Sequence, residues 1–231
     1  IKNILTVLSG DLAAKVIGLA TTFVLAKKLP VENFGVYNYI ITLMGLLTII
    51  ISPFANTYLR DHRYYQFEKY NFSYIWICLI LSPLFYFVVY FYVYPVQWYV
   101  FIVFAMNFVL LTCGHSYFNV YEMYRKYTSL NVLQSAGIFL ALLVLLFGFN
   151  TQKLDSLIAI AFFVSLIVMA CYLLASIRLS KITFNINFLF FKRMYGDSIY
   201  LVLYLSILPV MSFMGMYFVE KYINDYELGM Y

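Results

Sequence analysis

Long apolar runs separated by short polar turns are the dominant pattern of this chain. Seven runs stand out, at 4–26, 35–59, 72–94, 98–121, 128–149, 154–177 and 196–222. None alternates with period two, so none reads as a half-buried strand. A bilayer core of about 30 Å takes about 20 helical residues per crossing. In lipid the backbone must satisfy its own hydrogen bonds, which leaves helices as the reading for these runs. The connections are short except 178–195. There Arg178, Lys181, Lys192 and Arg193 flank a Phe-rich middle, which predicts a basic amphipathic segment on the membrane surface.

Polar residues inside the runs fall on helical faces. In the first run Asp11, Lys15, Gly18 and Thr22 follow helical spacing along one stripe. In the second, Asn38, Thr42, Gly45, Ser52, Asn56 and Arg60 do the same. The fourth carries Thr112, His115, Asn119, Glu122 and Lys126, and the fifth continues with Thr128, Asn131, Gln134 and Ser135. The third and sixth are nearly free of polar groups and are expected on the lipid side. Small residues on such stripes serve helix packing, and Gly18, Gly45, Thr22 and Ser52 are read that way first.

Lys15 is different, because a charge at mid-bilayer costs about 2.5–3.5 kcal/mol on insertion scales and seeks a partner or a wet cavity. Asp11 lies one turn before it, in the favourable order for an ion pair. The structural reading is therefore an Asp11–Lys15 pair. The functional reading is a cationic cavity built from Lys15, Arg60, Asp11, Asn38, Asn56, Thr22 and Gln134. His115 and Glu122 are a candidate proton relay, set against the simpler account of a solvated helix end.

Composition agrees with a lipid environment. The chain is 65% hydrophobic and 11% charged, with mean hydropathy +0.87. A soluble domain is about 45–50% apolar and about 25% charged. The net charge of +5 sits in loops between runs, so it argues for topology and against a nucleic-acid interface. With the N-terminus in the cytoplasm, ten basic loop residues fall inside and four outside. That bias predicts a cytoplasmic N-terminus. Cys78, Cys113 and Cys171 lie in separate runs without ligand spacing, so they are expected as buried apolar groups, and no metal or cofactor is expected.

The turn between the first two runs reads LAKKLPVENFGVYNY, residues 25–39, and the second run ends in YLRD at 58–61. This hairpin resembles the N-terminal region of the polysaccharide and O-antigen repeat-unit flippases of the multidrug/oligosaccharidyl-lipid/polysaccharide exporter superfamily. Their turn typically reads Ala-Arg-x-Leu-Gly-Pro-x-x-Phe-Gly-x-Tyr. Ala26, Lys27, Leu29, Phe34, Gly35 and Tyr37 match it, with Lys27 in place of Arg and no Gly before Pro30. Residues 119–137 resemble the family's turn between its fourth and fifth helices. Gly35-x-Tyr37 recurs as Gly229-x-Tyr231, with Lys27 falling on Lys221 at the same offset.

The resemblance implies an all-α polytopic membrane bundle: a six-helix lobe over 1–177, a linker over 178–195, and over 196–231 the first helix of a second, pseudo-symmetric lobe. The sequence lacks an initiator Met and ends inside the recurring motif, so a piece of a longer protein is expected. The implied activity is transport, not enzymatic chemistry. The cargo would be an undecaprenyl-pyrophosphate-linked oligosaccharide (O-antigen, capsule or exopolysaccharide), moved to the outer leaflet of the bacterial inner membrane by alternating access. Implied partners are that lipid-linked oligosaccharide, membrane lipid, and the polysaccharide polymerase and chain-length proteins. Competing readings are a cation-coupled multidrug exporter, a peptidoglycan-precursor flippase, and a non-transporting scaffold of a polysaccharide assembly complex.

Overall fold

The computed structural model describes residues 2–42, 70–71, 97–149, 151, 153–178 and 182–183, with single positions between 83 and 90 and between 192 and 218. Five helices run through the continuous described segments, and the single described positions between 83 and 90 and between 192 and 218 are helical as well. Helix α1 is Lys2–Lys28, α2 covers 31–42, α3 is Trp98–Val120, α4 is Tyr124–Leu143 and α5 is Leu154–Ser176. Helix α4 runs on as one π-helical stretch, Val144–Gly148. The spans 5–28, 98–120, 124–148 and 154–176 are each long and apolar enough to cross a membrane. The chain is a polytopic, helical membrane protein.

Local chemistry sets the helix ends. Lys27 and Lys28 close α1, where cations complement the helix dipole. Leu29 still donates to the Leu25 carbonyl at 2.8 Å, and Pro30 then breaks the chain before α2. Between α3 and α4, Met123 N–H donates to the Phe118 carbonyl (2.8 Å) and Glu122 N–H to that of Asn119 (3.2 Å). Together these bonds form a Schellman turn. Its left-handed position is Glu122, at φ 54, where glycine is usual.

Helix α4 is central. It packs against α1 on one side and α5 on the other, and α5 in turn packs on α3. One apolar core joins α3, α4 and α5 around Tyr117, Phe118, Leu130 and Met169. A second joins α2 to α3 and α5 through Tyr39, Ile40, Phe101 and Ile158. A third locks Leu25 and Leu29 against Leu142, Leu146 and Leu157. Glycines permit the closest approaches. A methyl group on Gly10 would collide with Thr128, and one on Gly137 would come within 3.2 Å of the Ser165 backbone. On α1, Leu5, Leu8, Leu12, Val16, Leu19 and Phe23 form an exposed stripe of the kind that meets lipid.

Two ends of the bundle can be told apart. At one, Lys126 Nζ donates to the Ser176 carbonyl (3.1 Å) and the Tyr172 hydroxyl to the Lys126 carbonyl (3.4 Å). The start of α1 meets the start of α4 there. At the other, the Lys28 ammonium sits 4.4 Å from the centre of the Phe147 ring.

Two expectations need correction. The six-helix lobe followed by the first helix of a second lobe is not the architecture seen: the continuous described segments hold five helices, four of spanning length. Hydropathy marks segments able to enter lipid, and the runs at 72–94 and 196–222 lie largely outside the described residues. The all-α bundle itself is supported, with one short parallel strand pair beside it, β1 Tyr70–Asn71 with β2 Ile182–Thr183. The strand pair ties the chain after the second run to the 178–195 connection, part of which is thus extended. Lastly, α5 is not confined to the lipid side. Its Ala161 and Ser165 are fully buried, because small side chains let α4 come close. The recurrence at 221–231 lies outside the described residues.

Candidate functional site

Two polar features follow from this packing: a seam inside the bundle and an open face on α1. The seam begins where Asn131 on α4 donates to Asp11 on α1, Nδ2 to Oδ1, at 2.7 Å. His115 stacks on Tyr127 with ring centres 4.2 Å apart and planes inclined at 28°. Its Nε2 is buried without a partner among the described residues.

One turn along α4, on the same face, Gln134 continues the seam. Its amide donates to Asn107 Oδ1 at 3.0 Å, and Asn107 donates to the Phe162 carbonyl at 3.0 Å. Ser165 Oγ donates to the Gln134 carbonyl at 3.2 Å. Asn107 is 1% exposed. A buried amide without partners costs about 1–3 kcal/mol, and these bonds remove that cost. They also fix the register of α3, α4 and α5. The sequence reading did not single out Asn107. The available signal was a lone amide in the middle of an apolar run, where polar groups seek partners on other helices.

The open face is the stripe Lys15, Gly18 and Thr22. All three are exposed. Helical spacing sets this stripe between the buried side of α1, marked by Gly10, Thr21 and Leu25, and its apolar stripe. Lys15 makes no ion pair with a described residue, so the expected Asp11–Lys15 pair is not formed; Asn131 has taken the Asp11 carboxylate instead. The packing role read for Gly18 and Thr22 is also not seen. No described residue lies within 4 Å of a methyl group placed on Gly18, and the Thr22 hydroxyl donates to the Gly18 carbonyl at 3.1 Å.

The remaining sequence candidates divide. Asn38 is half-buried on α2. Gln134 is spent in the seam. Glu122 is exposed in the α3–α4 turn, while His115 lies inside α3 against Tyr127; no described contact links them. Arg60 and Asn56 lie outside the described residues, as do Gly45 and Ser52. Of the cysteines, Cys113 is buried as expected and Cys171 is exposed, on the outward side of α5; Cys78 lies outside the described residues. Among the described residues no cluster of His, Cys, Asp and Glu could hold a metal ion.

Compared with known proteins, the chain matches no family model, no curated relative and no solved structure.

Proposed function

We propose that this protein is a membrane transporter whose cargo carries an anionic phosphate group. The cargo of best fit is the undecaprenyl-pyrophosphate-linked oligosaccharide implied by the resemblance of residues 25–39 to the repeat-unit flippases. One observation carries the reading: Lys15 stands exposed within a spanning helix, and the nearest acid on its stripe, Asp11, is held by Asn131. A lysine left without its carboxylate inside a membrane is costly and marks a pathway or an anion site. Its ammonium can bind phosphate oxygens by charge-assisted hydrogen bonds. Thr22, two turns further along the stripe, donates to the Gly18 carbonyl and offers its hydroxyl oxygen as an acceptor to sugar groups. The protein would sit in the bacterial inner membrane with its N-terminus in the cytoplasm, following the loop-charge bias. No covalent step is required.

The test uses the full-length protein and reads surface polysaccharide. Lys15→Ala should lower surface glycan about tenfold, the equivalent of one charge-assisted bond. Lys15→Arg should retain most of it. Normal surface glycan in a Lys15→Ala, Arg60→Ala double variant would overturn the reading.

A second reading has its own support. The Gln134–Asn107–Ser165 seam spends its polar groups on helix–helix bonds, as a non-transporting scaffold of a polysaccharide assembly complex would. That reading expects loss of complex assembly from seam variants and no effect of Lys15→Ala.

A further inference from the structure

On the flank of α1 away from Lys15, a cleft of about 480 Å³ opens between α1 and α4. Thr6, Ser9 and Gly10 form one wall, Thr128, Ser129, Val132 and Leu133 the other, and Tyr172 of α5 closes the back. The chemistry is graded. Hydroxyls line the part nearest the helix starts, and Val132 and Leu133 lead inward. From Ser9 the surface of α1 continues round to the exposed Leu5, Leu8 and Leu12.

Arg125 lies one turn before Ser129 on the same face of α4 and is exposed. The Thr128 hydroxyl is already committed to the Arg125 carbonyl at 2.9 Å, and that of Ser9 to Thr6 at 3.0 Å. Lys126 is engaged with the Ser176 carbonyl. Arg125, by contrast, forms no ion pair with a described carboxylate, including Glu122 in the adjacent turn. The cleft therefore has Arg125 one helical turn from its Ser129, exposed and without an ion pair to a described carboxylate, with hydroxyls at the polar end and Val132 and Leu133 deeper in.

We propose that this cleft binds one anionic phospholipid, with the headgroup phosphate at Arg125 and Ser129 and an acyl chain along Leu5, Leu8 and Leu12. Arginine matches phosphate oxygens bidentately, and basic pockets between membrane helices near the surface hold anionic headgroups. The apolar continuation is what a free phosphate ion would not need. The site is separate from Lys15 and does not depend on the identity of any cargo.

The full chain in nanodiscs tests this. Native mass spectrometry should show phosphatidylglycerol retained over phosphatidylcholine, and Arg125→Gln should reduce that preference about fivefold. Ser129→Leu, which fills the cleft from α4, should do the same, as should Ser9→Leu from α1. Arg178→Gln, a basic residue at the same end but away from the cleft, should leave the preference intact. Unfolding in phosphatidylcholine alone checks that each variant is folded. Either of two results overturns the proposal: an unchanged preference in Arg125→Gln and in a folded leucine variant, or inorganic phosphate alone displacing the lipid.

Discussion

Asn131 holds the carboxylate of Asp11 at 2.7 Å across the α1–α4 contact. This single bond decides two things. It anchors α1 to the centre of the bundle, and it leaves Lys15 without the acid that its sequence position offers. Asn131→Leu should therefore destabilise the protein by about 1–3 kcal/mol, since it strands a half-buried carboxylate. The double variant Asp11→Leu, Asn131→Leu should recover most of that loss, because both polar partners are gone. Thermal unfolding in one detergent measures all three proteins.

Lys15 makes the complementary prediction. A charge inside a spanning helix with no ion pair among the described residues adds cost and not stability, so Lys15→Gln should leave stability unchanged or raise it. The same change should lower surface glycan in the full-length protein. A large loss of stability with normal glycan would mark Lys15 as a structural residue.

Gly10 sets the closeness of α1 to α4. Gly10→Ala should push the helices apart and cost about 1–3 kcal/mol, the range for overpacking. Thr128→Gly should restore part of the loss by clearing the atoms in the way. Cross-linking yield between cysteines placed at positions 6 and 132 would report the separation directly.

The turn at Glu122 carries a cost that glycine would remove. A left-handed residue with a Cβ pays about 1 kcal/mol or more. Glu122→Gly should raise stability by about 0.5–1 kcal/mol, less the entropy that glycine adds to the unfolded chain. Glu122→Val should lower it, because a β-branched residue is poorly suited to that conformation.

Hydrophobic patterning alone placed the spanning helices closely. The runs read at 4–26, 98–121, 128–149 and 154–177 appear as helices within a few residues, because lipid forces each crossing to close its own backbone bonds. Periodicity also placed Asp11, Lys15, Gly18 and Thr22 on one stripe. What it left open was where that stripe faces, since spacing fixes an angle around a helix and not the neighbour at that angle. Tertiary packing decided it: Gly10 and Thr128 bring α1 so close to α4 that Asp11 meets Asn131, while Lys15 and Thr22 turn outward. Packing also chose which polar groups became structural. Gln134 looked like a cavity residue until Asn107 and Ser165 met it from two other helices. The short β1–β2 pair, formed by residues more than a hundred positions apart, left no local signal in the sequence.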